Sequence, residues 1–352
     1  MPILLRGTVI VILVMMGCQG PDQMPSPEEA DAPQSATARL VTPQPLPLAP
    51  PLNQPEVELS GLTWYDDTLI VLPQYPTRGT GTHDGGVYGI PRSTLIQAVA
   101  DSTPAPIEPI HFPFTAKDVE THLPDHQGFE AVAFVGARVY VVTEGVSTPS
   151  GMKGTLLWGD IVSDRAMIQV RGVTARRLPQ QANLPNISYE ALTTRGDTVI
   201  ALFEANGANV NPDPHAYPFV DGADPLSPLP FPTLEYRLTD ATSVDSLGRF
   251  WVTNYFFPGD YDLLQPAGPS ASAPANSTGP PSDTTAVERL VEYRWTPNGI
   301  HRTATPPLQF VLGAAPRNWE GLARLGEGFL VVTDTFPSTI LAYVPGPSST
   351  RK

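Results

Sequence analysis

One pattern occurs five times in this chain of 352 residues and narrows its possible folds more than any other feature. The segments Ser60-Gly-Leu-Thr-Trp, Glu130-Ala-Val-Ala-Phe, Glu190-Ala-Leu-Thr-Thr, Asp240-Ala-Thr-Ser-Val and Glu320-Gly-Leu-Ala-Arg align without gaps. Each is followed by a Gly- or Asp-bearing turn and then by a β-rich run, such as Leu69–Leu72, Val139–Thr143 or Phe329–Thr333. Fourteen residues after each first residue stands another polar one: Gln74, Glu144, Glu204, Asn254 and Asp334. Short strands, turn residues and β-branched runs in this order predict a β-hairpin per repeat.

Further strand candidates lie behind most hairpins, at Val87–Ile90 and Ile107–Phe112, Thr155–Val162 and Met167–Leu178, and Leu290–Trp295 and Ile300–Phe310. A four-stranded unit repeated radially is a β-propeller blade, so the predicted fold is all-β, with five blades by direct count and six if one lacks the motif. Only Thr339–Val344 follows the fifth hairpin, so the last blade needs a strand from the N-terminal side, at residues 38–48. The third repeat is the weakest, because Leu234–Leu238 runs straight into Asp240. The propeller domain is expected over residues 56–345, with a loop insertion at 265–284 and a tail at 346–352. Forty-two prolines exclude a helix-rich alternative, since each interior proline costs a helix about 3 kcal/mol.

In an antiparallel hairpin the start of one strand lies beside the end of its partner, so each anchor and the residue fourteen on share one end of a blade. With the first strand innermost, Glu130, Glu144, Glu190, Glu204, Asp240, Glu320 and Asp334 converge on one mouth of the central channel, with Asn254 and Gln74 as neutral oxygens. Two carboxylates ~7 Å apart repel by ~2–3 kcal/mol at an effective dielectric of 20. A cation, inward-reaching arginines or raised pKa values must relieve that repulsion. An oxygen-only donor set suits Ca²⁺ better than zinc, which makes Glu130, Glu190, Glu204, Asp240, Asn254, Glu320 and Asp334 the candidate ligands. The competing reading is that some of these acids cap blade-connecting loops through backbone N–H groups.

The loop Thr121-His122-Leu123-Pro124-Asp125-His126 feeds the Glu130 end, so His122, His126 and Glu144 are candidate general bases. His83 and His215 stand in other loops expected on that face, and Arg78, His83, Arg317 and Trp319 are candidate substrate contacts. No Gly-x-Ser-x-Gly elbow, Walker loop, dinucleotide fingerprint or His-Glu-x-x-His occurs, which leaves serine-esterase, nucleotide-cradling and zincin readings without support. A net charge of −14 argues against a nucleic-acid partner.

Arg6 and the apolar run to Gly17 suit a signal peptide over residues 1–17, too short to span a bilayer. Met15-Met16-Gly17-Cys18 resembles a bacterial lipoprotein cleavage box, which implies lipidation of Cys18, the chain's one cysteine. Gln19 after it resembles outer-membrane sorting. Residues 18–55 read as a Pro-rich tether to that membrane.

The repeats themselves, Asn318-Trp319-Glu320-Gly321-Leu322 with Asp334 and Phe129-Glu130-Ala131-Val132 with Glu144, resemble those of the phytase-like esterase propellers, within a wider group of calcium-dependent propeller hydrolases. The resemblance implies calcium and hydrolysis of an ester, lactone or phosphoester. Ser60 departs from the acid at the first anchor. The expectation is therefore an exported, lipid-anchored, monomeric propeller acting as a metal-assisted hydrolase on a small molecule or envelope polymer. The alternative is a binding or scaffold lipoprotein of the cell envelope in which calcium is structural.

Overall fold

The computed structural model describes residues 38–76, 85–148, 151–162, 167–267 and 286–347. The expected leader, Cys18, Arg78, His83 and most of the 265–284 insertion lie outside the described residues.

Twenty-two strands among the described residues group into five sheet units. Two short strands come first, Arg39–Val41 (β1) and Gln44–Leu46 (β2). Unit 1 is Leu59–Tyr65 (β3), Thr68–Pro73 (β4), Gly85–Pro91 (β5) and Ile110–Thr115 (β6), with the helix Arg92–Ala100 (α1) before its last strand. Unit 2 is His126–Val135 (β7), Arg138–Thr148 (β8), Gly151–Val162 (β9) and Met167–Arg177 (β10). Unit 3 is Tyr189–Arg195 (β11), Thr198–Phe203 (β12), His215–Phe219 (β13) and Leu229–Pro230 (β14). Unit 4 is Arg237–Ala241 (β15), Arg249–Phe256 (β16), Val287–Thr296 (β17), Gly299–Arg302 (β18) and Leu308–Phe310 (β19). Unit 5 is Trp319–Leu325 (β20), Gly328–Thr333 (β21) and Leu341–Val344 (β22).

Each unit is an antiparallel meander at its inner hairpin, as the repeats predict. Two-residue turns join the first two strands of units 1, 2, 3 and 5, at Asp66-Asp67, Gly136-Ala137, Gly196-Asp197 and Gly326-Glu327. Their first residues all have positive φ, +49° at Asp66 and +57° at the three glycines, the backbone that matches strand twist in such hairpins. Units 1 and 2 also pair at their outer strands, β6 with β10, forming one eight-stranded sheet.

Packing makes the arrangement a ring. The strand β3 lies beside β7, β7 beside β11, β11 beside β15, β15 beside β20, and β20 beside β3 again. Five apolar cores fill the five gaps between neighbouring units, for example Ile70, Phe114, Val132 and Val141 between units 1 and 2, and Leu62, Val71, Leu330 and Val332 between units 5 and 1. An open row of five units has four such gaps, so the fifth core is the mark of closure. The fold is a β-propeller.

The N-terminal segment closes it differently from a single added strand. The strand β2 pairs antiparallel with β22 and completes unit 5, whereas β1 runs parallel to β19 at the edge of unit 4. Residues from 39 on, within the expected tether, are therefore packed: Leu46 and Leu52 are buried in the core between units 5 and 1. The closing strand expected at residues 38–48 is thus present, and Pro45 within it fits because strand-edge positions tolerate proline's missing N–H. Unit 3 also differs from expectation, since its outer strands come from His215–Phe219 and Leu229–Pro230, a segment that reads as a Pro-rich loop.

Leu46→Ala is expected to lower stability by about 2–4 kcal/mol through the cavity it leaves in the closing core. Leu40→Ala, on an exposed face of β1, is expected to stay within about 0.5 kcal/mol. Urea unfolding of both variants checks the pair.

Candidate functional site

The anchor residues owe their direction to a backbone irregularity repeated in every unit. Where β3 pairs β4, the register jumps between Leu59 and Gly61, leaving Ser60 as an extra residue. The same jump isolates Glu130 in β7, Glu190 in β11 and Glu320 in β20, and in β15 it spans Thr239 and Asp240. An extra residue bends the strand and re-aims its side chain. The sequence puts the acid on that residue in four of the five units.

At this end of the channel lies a cavity of about 490 Å³. Its lining includes Glu130, Glu190 and Glu320 from the bulges and Glu144, Glu204 and Asp334 from fourteen residues on, together with Ser60 and Gln74. Arg237, Tyr255, Phe257 and Asp260 enter from unit 4 and the segment after it, and Asn186 and Asn318 from the loops. Six of the seven predicted carboxylates therefore share one space.

Partners are unequal. The two oxygens of Glu130 accept from Gln74 Nε2 at 3.0 and 3.2 Å. Glu320 Oε1 accepts from the Tyr255 hydroxyl at 3.0 Å. Arg237 donates to Glu204 Oε1, and its Nε donates to Asp260 Oδ2 at 2.7 Å. The other oxygen of Glu204 is buried without a partner among the described residues. Asp334 accepts from the Phe336 N–H at 2.6 Å and from Asn318 Nδ2 at 3.4 Å. Among the described residues no hydrogen-bond donor reaches the Glu190 carboxyl.

Enclosure and mutual repulsion push these carboxyls toward their protonated forms. Burial, then Glu144, raises Glu130 well above its usual value. Burial, then Glu204 and Glu130, does the same to Glu190, and burial with Asp334 does it to Glu320. Glu144 is pushed up to about 7 by burial and Glu204. For Glu204 burial also wins, but the Arg237 charge opposes it. Burial works against the Arg237 charge in turn, yet Glu204 and Asp260 outweigh it and hold the guanidinium above its usual pKa.

Two predicted ligands stand elsewhere. The Asp240 carboxylate lies inside the wall, where Oδ2 accepts the N–H groups of Leu322 at 2.6 Å and Leu62 at 3.3 Å, and Oδ1 that of Ala241 at 2.7 Å. It ties unit 4 to units 5 and 1, the capping role held open as the alternative for these acids. Asn254 is also structural: it donates to the carbonyls of Glu235 and Arg237 and accepts from Arg289 Nε at 2.7 Å.

The predicted histidines among the described residues, His122, His126 and His215, do not line the cavity. His122 is exposed, its Nδ1 2.8 Å from the Asp118 carbonyl. His126 packs on Phe129 and bonds Thr143, and burial lowers its pKa. His215 begins a strand, with Nδ1 2.8 Å from the Asp213 carbonyl. Arg317 and Trp319 also lie off the cavity, because both donate to the buried Glu288, Arg317 Nε at 2.7 Å and Trp319 Nε1 at 2.8 Å. The residue that sequence reasoning missed is Arg237, three positions before the anchor Asp240, where Arg317 stands in the same place before Glu320 but turns to Glu288 instead.

The donor set is oxygen-rich and nitrogen-poor, so its chemistry suits a hard cation. The buried, unpartnered Glu204 oxygen is an available ligand of that kind. Among the described residues no three His, Cys, Asp or Glu groups stand close enough together to ligate one ion directly.

Neither a protein-family model nor a curated protein sequence matches the chain. Solved structures align along most of it at low identity. A putative glycoside hydrolase from Parabacteroides distasonis is 12% identical over 86% of this chain and 92% of that one, with a TM-score of 0.42. The native Bacillus subtilis arabinanase is 10% identical over 82% and 93%, with a TM-score of 0.41. The soluble aldose sugar dehydrogenase from Escherichia coli in its apo form is 10% identical over 86% and 99%, also at 0.41. Likeness at this level transfers no activity, and the propeller rests on the strand pairing and the ring of cores.

Arg237→Met leaves Glu204 and Asp260 without their cation and is expected to cost about 3–5 kcal/mol, part of it recovered in the double variant with Glu204→Gln. Asp240→Ala strands three inward N–H groups and is expected to cost about 2–4 kcal/mol. Denaturant midpoints of the three proteins test both statements.

Proposed function

We propose that the acidic cavity takes up Ca²⁺ and that the protein is an exported, lipid-anchored propeller hydrolysing an ester, lactone or phosphoester there. One observation carries the reading. Glu130, Glu190, Glu204 and Glu320 face one space, and among the described residues Arg237 is the single basic side chain lining it. That leaves uncompensated negative charge where a cation, in place of protons, restores neutrality. Glu130, Glu190, Glu320 and the open oxygen of Glu204 would hold the ion, with Asp334 and Glu144 at its side. A space of about 490 Å³ accommodates the ion with part of its water shell, which suits carboxylates that do not converge to direct ligation distance.

A bound divalent cation supplies Lewis-acid polarisation of a carbonyl or phosphoryl oxygen. The chain's own contribution is proton handling and orientation. Glu144, with its pKa near 7, exchanges a proton at neutral pH and replaces His122 and His126 as the group that activates water. Arg237 fixes Glu204, and Tyr255 fixes Glu320, so two of the carboxylates are oriented before ligand arrives. Export and lipidation rest on the Arg6–Cys18 sequence, and the choice of ester-like substrates rests on the resemblance of the repeats to phytase-like esterase propellers.

In metal-free protein, carboxyls with raised folded-state pKa values bind more protons folded than unfolded. Their contribution to stability is therefore present in full below the ordinary carboxylate range and is lost as pH rises through about 7, the value for Glu144. Melting temperature without metal is expected to fall from pH 5 to pH 8, and calcium at 100 times its Kd to restore about 2.7 kcal/mol at pH 8. Glu190→Gln is expected to raise the metal-free melting temperature at pH 8 and to abolish most of the calcium response. Absence of both the pH slope and the calcium shift would remove the proposal. Loss of ester turnover in Glu144→Gln with calcium binding kept supports catalysis, whereas unchanged turnover assigns the ion a structural role.

A further inference from the structure

The opposite end of the same inner strands carries a second cavity, of about 380 Å³, and its electrostatics are reversed. Units 1, 4 and 5 wall it, and no aspartate or glutamate among the described residues lines it. Its basic groups are Arg92 and Arg324, beside the hydroxyl residues Thr63, Thr242 and Ser243. In a chain with 35 acidic against 21 basic residues, an acid-free pocket with two arginines runs against the average composition.

Each arginine is held in place but incompletely neutralised. The Arg92 guanidinium lies 3.7 Å from the centroid of the Trp64 ring, and Trp64 is itself fixed by its Nε1 donating to the Arg324 carbonyl at 2.7 Å. Arg92 Nε pairs with Asp67 at 3.0 Å, but that carboxylate is 91% exposed, so water screens the pair. Arg92 also opens α1, whose first turn has neither a capping side chain nor an acidic residue, so the helix dipole adds to the positive potential. Among the described residues, Arg324 Nε is buried with no hydrogen-bond partner. Asp245 stands 3.9 Å from Arg324 Nη2, and its oxygens already accept the Leu247 and Arg249 N–H groups and Arg249 Nε. Asp240, between the two cavities, is occupied by its three backbone donors.

We propose that this second cavity binds a small anion through a carboxylate or phosphate group. The guanidinium of Arg324, whose Nη2 also donates to the Arg249 carbonyl at 3.3 Å while Nε stays unpartnered among the described residues, matches either oxyanion, and Arg92, stacked on Trp64, supplies a second charge at a fixed position. The site is independent of the acidic cavity and of what that cavity binds.

The test uses the full chain freed of divalent metal. Inorganic phosphate and acetate are titrated at pH 7 against chloride of equal ionic strength, with tryptophan fluorescence and melting temperature as readouts. Phosphate or acetate is expected to give a saturable response that chloride does not. A response to phosphate alone identifies a phosphate ligand, and one to acetate a carboxylate. Arg324→Gln is expected to weaken the Kd at least tenfold. Ser243→Asp, at an exposed position that leaves the core untouched, is expected to do the same by placing a carboxylate at the entrance while calcium binding in the acidic cavity stays unchanged. A chloride-like response, or a saturable one that is equal in wild type and both variants, overturns the proposal.

Discussion

A set of twisted sheets packed side by side exposes an apolar face at each end of the row unless the first and last meet, and everything else in this protein follows from their meeting. The core between units 5 and 1 combines side chains from residues 46–107 with others from residues 323–341, most of the domain apart in sequence. The strand β2 secures that junction by pairing with β22, and β1 extends the hold to unit 4. Closure fixes the five inner strands around one axis, and only then do residues from different units share a cavity.

The ring also has to contain its own electrostatic conflict. Bulges turn Glu130, Glu190 and Glu320 toward the axis, where enclosure disfavours their charge. Relief is local and different in each case: an amide from Gln74, a hydroxyl from Tyr255, a guanidinium from Arg237 on Glu204, and no donor among the described residues for Glu190. Five apolar cores at the seams stabilise a structure that tolerates such an arrangement, and the graded pKa values leave at least one carboxyl, Glu144, titrating near neutrality. The other end of the channel has the opposite character, with arginines and hydroxyl residues, and Asp240 separates the two ends as a strut.

Much of the site was legible because a gapless repeat fixes residue phase. A side chain's distance from its hairpin turn sets which end of the unit it occupies, and that is why Glu130 and Glu144, or Glu320 and Asp334, could be paired from spacing alone. Asp240 shows where that logic stops. It holds the same phase as the glutamates, yet its shorter side chain meets the N–H groups of Leu62 and Leu322 before it reaches the cavity. The histidines failed for another reason: phase along the chain says nothing about lateral direction, so His126 turned into the seam against Phe129. Trp319 and Arg317 were drawn away by Glu288, a partner on a strand some thirty residues earlier in the sequence.

Local chemistry therefore determined the hairpins, their turns, the bulge-borne acids and the all-β class, since each depends on interactions within a dozen or so residues. Tertiary structure alone decided the parallel pairing of β1 with β19 beside unit 4, the choice of Arg237 as the charge that faces the acids, and the basic pocket at the far mouth. Those outcomes depend on which side chains from distant units meet once the seams are filled, and a sequence records the phase of such groups but not their neighbours across the axis.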